Sequence, residues 1–175
     1  MLKMKVIILC CFVYIFAIGC TYSHNVNVYM SPELKTHYGY YPSLEVDLIG
    51  MNDSEKNWIE SYDTDKYFEA DNPLRKSLSP FTMKFSESDY GVQYLSRGSK
   101  LWNKWKDKGA KELYIIVNLP ETHLGKSSSK MLSFKIKSNI FKSHDKHIEI
   151  KPAGILLLPS PPAGDYGERR KADAL

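Results

Sequence analysis

The chain has 175 residues, a formal net charge of +4 and three cysteines. Its length supports one domain with a substantial hydrophobic core. Because the cysteines are Cys10, Cys11 and Cys20, the chain beyond residue 20 contains neither a disulfide nor a thiol nucleophile. The small positive charge gives no indication of a nucleic-acid partner.

The first twenty residues predict a bacterial lipoprotein signal. Two lysines precede an apolar run at 6–18, which is shorter than the about 20 residues that span a bilayer. The run ends in Ala17-Ile18-Gly19-Cys20, which resembles a lipobox with Ala17 in place of the usual Leu. This resemblance implies removal of residues 1–19, a diacylglyceryl group on the Cys20 sulfur, and an acyl chain such as palmitate on its new amine.

Two other interpretations of this start stay open: an uncleaved anchor, or a signal cut elsewhere with Cys20 an ordinary thiol. Bacterial lipoproteins that stay in the inner membrane generally have an Asp directly after the lipidated cysteine. In this chain that residue is Thr21. The lipoprotein interpretation therefore implies an outer-membrane anchor with the body in the periplasm.

Composition divides the remainder into three parts. Residues 20–42 are rich in Tyr, His, Asn and Ser, and predict a lipidated N-terminus and flexible tether with at most a short edge strand. Residues 43–159 contain the alternating apolar segments and predict the folded domain. Residues 160–175 are rich in Pro, Gly and basic residues and predict a disordered tail.

Short strands dominate the predicted domain. The run 113–117 is apolar throughout and predicts a strand buried on both faces. A helix near 53–59, capped by Asp53 or Ser54, is predicted to turn Trp58 and Ile59 inward. A second helix at 101–106 is predicted to place Trp102 and Trp105 in the core. The other predicted strands are 43–50, 81–85, 131–137, 147–151 and 154–158, which together indicate an antiparallel β-sandwich.

The insertion after the first of these strands is the candidate binding region. Residues 44–71 hold nine acidic and two basic side chains, whereas residues 97–111 hold six basic and one acidic. Residues 61–78 form a long polar stretch with several aromatic residues, which is unusual in a compact domain unless it has a function. Such a two-sided charge can orient a partner, although solvated surface is the commoner outcome.

Motifs for catalysis or metal binding are weak. His144 and His147 enter an alternating strand, where their side chains do not converge on a metal as they would on a helix. Asp63-Thr64-Asp65 begins like a calcium loop, but Tyr67 and Phe68 replace a ligand and the turn glycine. We therefore expect no enzyme activity, no metal and no cofactor other than the covalent lipid on Cys20.

The order of these segments resembles the outer-membrane lipoprotein subunit of bacterial type VI secretion systems, the TssJ-like family. The matching features are the lipobox, the strand at 43–49, the helical insertion directly after it, the strand at 113–118, and the closing pair at 147–151 and 154–158. The resemblance implies a transthyretin-like β-sandwich without catalytic activity. It also implies binding to the periplasmic domain of an inner-membrane secretion component.

Four residues of the insertion form our predicted partner contact: Tyr62, Asp63, Asp65 and Tyr67. An equally weighted alternative is that Tyr67 and Phe68 only hold the insertion on the core. The competing function is a cell-surface or periplasmic lipoprotein that binds a ligand or glycan with the same aromatic residues.

From the lipobox, we expect the mature polypeptide to begin at Cys20 and to carry lipid there. Stable membrane attachment needs two or more acyl groups. Intact-mass spectrometry of protein extracted from membranes checks this. The Cys20→Ser variant should lose the acyl mass and leave the membrane fraction. An unacylated native start would contradict the lipoprotein interpretation.

Overall fold

Two β-sheets packed face to face make up the fold in a computed structural model of the chain, which describes residues 22–120, 130–137 and 145–172. The predicted signal, Cys20 and His144 lie outside these residues. The strands are β1 (Asn25–Met30), β2 (Leu44–Met51), β3 (Phe81–Phe85), β4 (Gln93–Leu95), β5 (Glu112–Val117), β6 (Met131–Lys135), β7 (Asp145–Lys151), β8 (Gly154–Leu158) and β9 (Arg170–Lys171).

The two sheets differ in strand direction. The four-stranded sheet has the order β3-β2-β5-β6 and is antiparallel throughout. The five-stranded sheet has the order β8-β7-β1-β4-β9, with β1 parallel to β7 and β4 parallel to β9. The predicted β-sandwich is confirmed. The parallel pairs were not predicted, because alternation indicates the faces of a strand and not the direction of its neighbour.

The main core lies between the sheets. Every second residue of β1, β2, β5 and β7 points into it, as period-two strands require. The helix α5 (Leu101–Asp107) adds Trp102 and Trp105, which are buried as predicted and meet edge to face with ring centroids 5.1 Å apart. The strand residues of this core include Val26, Val28, Met30, Val46, Leu48, Ile115, Val117, Ile148 and Ile150.

A second apolar cluster covers the other face of the four-stranded sheet. It joins Ile49 and Met51 of β2 and Tyr114 and Ile116 of β5 to residues of the insertion, including Ile59. Because β5 has apolar neighbours on both faces, residues 113–117 are all buried, which confirms the prediction for this run.

The structure corrects the predicted tether at 20–42. Asn25–Met30 forms β1 in the middle of the five-stranded sheet, between β7 and β4. Val26, Val28 and Met30 fill the core and have no exposed surface. The helix α1 (Pro32–Tyr38) follows, with Ser31 as its N-cap and Gly39 at φ 81° as its C-cap. The folded domain therefore begins well before residue 43.

The predicted disordered tail is also corrected for its described part, residues 160–172. β9 pairs with β4, and the Tyr166 hydroxyl donates a 2.7 Å hydrogen bond to Glu149 of β7. Composition alone did not indicate these contacts, because they join segments far apart in the sequence.

We expect Gly50→Ala to destabilise the fold. A Cβ on Gly50 would lie 2.5 Å from Cγ of Trp105, which is buried and has no room to move aside. Overpacking of this kind costs about 1–3 kcal/mol, measurable by urea unfolding. Gly98→Ala is the matched control, because its Cβ would meet nothing closer than 3.7 Å and should change stability by less than about 0.5 kcal/mol. Equal unfolding midpoints would contradict this packing of α5 on β2.

Candidate partner-binding surface

The insertion between β2 and β3 lies on the outer face of the four-stranded sheet. It consists of α2 (Asp53–Glu60), α3 (Thr64–Tyr67) and α4 (Pro73–Leu78). The cap of α2 is Asn52, not the predicted Asp53 or Ser54, and Asn52 forms a capping box with Glu55. Asn72 caps α4 by accepting a hydrogen bond from the backbone of Arg75.

A buried carboxylate holds the insertion on the sheet. Asp47 of β2 points outward into the insertion and has no exposed surface. It accepts hydrogen bonds from the Tyr67 hydroxyl at 2.9 Å, from Nε of Arg75 at 2.7 Å and from the Thr82 hydroxyl at 2.6 Å. Residues of α3, α4 and β3 therefore converge on one side chain.

Arg75 connects this carboxylate to the rest of the insertion. One of its terminal nitrogens donates to Glu45 at 2.7 Å and to Asp47 at 3.1 Å. Its guanidinium also lies 4.7 Å from the ring centroid of Phe68, a favourable cation–π distance. The guanidinium is thus engaged with two carboxylates and an aromatic ring.

The electrostatics keep this cluster in one charge state. Burial, together with the neighbouring Asp47 carboxylate, raises the pKa of the Tyr67 hydroxyl well above its ordinary value. Hydrogen bonding to Asp47 raises the pKa of Arg75. For Glu45, burial favours a higher pKa, but the hydrogen bond and charge of Arg75 outweigh it and leave the pKa below its ordinary value. The tyrosine therefore stays neutral and the arginine charged at neutral pH.

The structure does not bring the four predicted contact residues onto one surface. Tyr67 is fully buried, so its side chain has no surface with which to contact a partner in this conformation. Tyr62 is half-buried and its hydroxyl accepts a 2.8 Å hydrogen bond from Asn72. Asp63 is exposed, and Asp65 lies in α3 with its side chain outside the description. For Tyr67, the alternative that it holds the insertion on the core describes what is seen.

The sequence interpretation missed Trp58, which it turned inward. Trp58 is 59% exposed on α2, whereas Ile59 is completely buried. Adjacent residues on a helix point about 100° apart, and in α2 it is Ile59 that faces the sheet. This angle between Trp58 and Ile59 was the sign in the sequence that the two side chains need not face the same way. We define Trp58, Tyr62 and Asp63 as the insertion surface.

The acidic and basic segments of the sequence partly neutralise each other. Lys108 lies 3.1 Å from Glu55, and Lys111 forms an ion pair with Asp53. Lys56 of the insertion lies 3.0 Å from Glu112. The charge asymmetry in the sequence therefore serves in part to attach α2 to the end of α5 and the start of β5.

Other functional features are limited in the described ranges. No cluster of three or more metal-ligating side chains occurs there. In the same residues no helix has the length and apolar character to cross a bilayer. A cleft of about 310 Å³ beside α4 is lined by Phe68, Asn72, Arg75 and Thr82, among others. Of the aromatic residues of the insertion, Phe68 lines this cleft, whereas Tyr67 is buried and is not among its lining residues.

We expect Arg75→Gln to destabilise the protein by about 3–5 kcal/mol, because it leaves the buried Asp47 carboxylate without its cation. Lys76→Gln on the same helix is the control. Lys76 pairs with Asp71 at 2.7 Å, but both side chains are exposed, so its loss should cost less than about 1 kcal/mol. Urea unfolding of both variants measures the difference. Similar losses would show that the Asp47 cluster does not hold the insertion.

Comparisons with known proteins address the fold. No protein-family model matches the chain, and no curated protein matches it in sequence. A solved structure titled as the C-terminal domain of the type VI secretion protein TssM from EAEC matches with a TM-score of 0.54 and 13% identity, over 78% of this chain and 100% of that one. A structure titled as a type VI membrane complex matches with a TM-score of 0.56 and 14% identity, over 78% and 98%.

A third match is the membrane-bound type VI secretion component Lip of Serratia marcescens, with a TM-score of 0.46 and 13% identity over 80% of this chain and 97% of that one. At these identities a structural likeness concerns the fold alone. The two structures with TM-scores above 0.5 show that the chain's β-sandwich fold is shared with solved components of type VI secretion membrane complexes, and at the level of the fold the resemblance predicted from the sequence is confirmed.

Proposed function

We propose that the chain is an outer-membrane-anchored periplasmic lipoprotein of a type VI secretion membrane complex, where it binds the periplasmic domain of an inner-membrane component. The observation that supports this is the fold likeness, which extends over 98–100% of the two matched chains with TM-scores above 0.5. The role is structural and needs no bound cofactor. Fold likeness alone does not fix function; the lipobox at residues 17–20 and the exposed Trp58 of the insertion also support this role.

The link between lipid and domain is short in this proposal. Cys20 would carry the lipid, and β1 begins at Asn25. Five residues span at most about 17 Å when fully extended. The sandwich would therefore lie close to the lipid headgroups. The few residues between Cys20 and β1 would limit its distance from the membrane.

The insertion surface is the proposed contact with the inner-membrane partner. Trp58 offers a large exposed aromatic side chain, the residue type most enriched among residues that dominate binding energy. The Asp47 cluster fixes α3 and α4 to the sheet, and the buried Ile59 and the Lys108–Glu55 pair fix α2, so little conformational entropy is lost on binding. Tyr62 and Asp63 would extend the contact. In this arrangement Tyr67 supports the surface from below and does not form part of it.

The competing function, binding of a small ligand or glycan, has less support. The cleft beside α4 is the candidate site, but Nε and one terminal nitrogen of Arg75 at its wall already donate hydrogen bonds to Asp47 and Glu45. Tyr67, one of the aromatic residues that the ligand hypothesis places around a pocket, is buried.

We expect Trp58→Ala to weaken binding to the partner's purified periplasmic domain by at least about tenfold, since loss of an aromatic hot spot costs about 2 kcal/mol or more. Biolayer interferometry with the folded chain measures the dissociation constant. Asp63→Lys should weaken binding to a smaller degree.

Leu156→Ala is the matched control for this experiment. Leu156 is 47% exposed and belongs to β8 of the other sheet, so its loss should leave the dissociation constant unchanged. If Trp58→Ala bound as tightly as the native chain, the insertion surface would not be the contact. If the native chain bound no inner-membrane component but bound a glycan, the ligand-binding function would replace the proposal.

A further inference from the structure

The outer face of β1 and β7 in the five-stranded sheet is polar but buried. Asn27 and Tyr29 of β1 pair in register with His147 and Glu149 of β7, and all four point away from the core. Their exposed fractions are only 2–8%. A polar sheet face would normally be solvated. Here a segment of the same chain, residues 165–172, covers it, and we call this segment the strap.

Tyr166 of the strap makes the first of two sets of side-chain contacts with this face. The Tyr166 hydroxyl donates to Glu149 at 2.7 Å, and its ring meets the Tyr29 ring edge to face at 5.4 Å between centroids. Tyr29 in turn is hydrogen-bonded to Nδ1 of His147 at 2.9 Å. Burial and the bond to Glu149 raise the pKa of Tyr166, so this hydroxyl stays protonated and able to donate.

Arg169 fills the second position. It donates to Oδ1 of Asn27 at 2.7 Å, and its guanidinium lies 4.4 Å from the ring centroid of Tyr94. The next residue, Arg170, pairs with Asp89 at 3.2 Å. Backbone bonds from Arg170 to Val92 and from Ala172 to Tyr94 add the strap to the edge of β4. The face therefore binds an extended segment with an aromatic residue and, three positions later, an arginine.

Two glycines are fitted to the strap. A Cβ on Gly91 would collide with the backbone oxygen of Glu168, and Gly167 adopts φ +70° against Tyr90. Side chains at these two positions would keep the strap off the sheet. Both the strap, at Gly167, and the region it covers, at Gly91, thus have a glycine where the two approach closely, as in a peptide bound in a groove.

The connection to the strap is a short segment rich in proline. Pro159, Pro161 and Pro162 precede Gly164, and this segment, the hinge at 159–164, lines an open cleft of about 650 Å³ together with Glu149 and Lys151. Proline favours extended backbone. The strap is attached by Tyr166, by Arg169, by the Arg170–Asp89 pair and by the β4 edge, and Ala172 at its end packs against the core between the sheets.

We propose that the face formed by Asn27, Tyr29, Tyr94 and Glu149 is a peptide-binding groove, and that it takes the strap of a second copy of this chain in place of its own. The groove makes the same contacts with either strap, so exchange sacrifices none of them. Six extended hinge residues span up to about 20 Å, which allows the strap to reach a neighbouring molecule. At low concentration the chain's own strap has the advantage of proximity, so the exchanged dimer forms as concentration rises.

A complementary pair of full-length variants tests the exchange. Arg169→Glu disables the strap and leaves the groove intact, whereas Asn27→Arg disables the groove and leaves the strap intact. Each variant alone should sediment as a monomer. An equimolar mixture at about 0.1 mM should form a 1:1 dimer, because an intact strap meets an intact groove and the two introduced charges are opposite.

A mixture that stays monomeric, with both variants giving native near-ultraviolet circular dichroism, would overturn the proposal. A second measurement covers failure of either variant to fold. A fluorescent peptide of residues 160–172 should bind Arg169→Gln at least about tenfold more tightly than the native chain, whose own strap competes. Absence of peptide binding to both proteins would likewise overturn it. Neither readout depends on the secretion partner, so the result is separate from the proposed function.

Discussion

Asp47 lies on the outer face of a central strand without access to water, and the fold has to neutralise and hydrogen-bond its charge. Arg75, Tyr67 and Thr82 do so from three different elements. Since an uncompensated buried charge costs several kcal/mol, the insertion cannot lift from the sheet without a large penalty. A segment of short helices, which would be unstable alone, thereby becomes a fixed platform.

The two sheets cover their outer faces by different means. On the four-stranded sheet, apolar residues such as Ile49 and Ile116 pack under the insertion, so the cover belongs to the hydrophobic core. On the five-stranded sheet, polar residues such as Asn27 and Glu149 pair with the strap through hydrogen bonds. Exposing an apolar face costs far more than exposing a polar face that water can solvate. Permanent covering therefore suits the first sheet, and exchange suits the second.

Patterns among neighbouring residues predicted individual strands and the buried faces of individual elements. Alternation predicted β2, β3 and β7, and the unbroken apolar run predicted that β5 is covered on both faces. Spacing on a helix placed Trp102 and Trp105 in the core. What failed was information held in distant pairs. β1 depends on a parallel partner about 120 residues away, and the strap on residues of β1, β4 and β7. Tyr67 was assigned to a surface because a buried acceptor for its hydroxyl, Asp47, could not be recognised in an alternating strand.

Charge shows the same distinction between composition and arrangement. The acids of the insertion and the bases of residues 97–111 suggest an electric dipole that could orient a partner, yet Lys108 and Lys111 pair with Glu55 and Asp53 of α2. These pairs reduce the charge asymmetry. The field that remains is screened over about 10 Å at moderate salt. Under the proposed function, recognition at the insertion surface would then depend on contact with Trp58 more than on long-range attraction. Such a short-range contact requires both proteins to be held in place, and under the proposed function a lipid on Cys20, five residues from β1, would limit this chain's distance from the membrane.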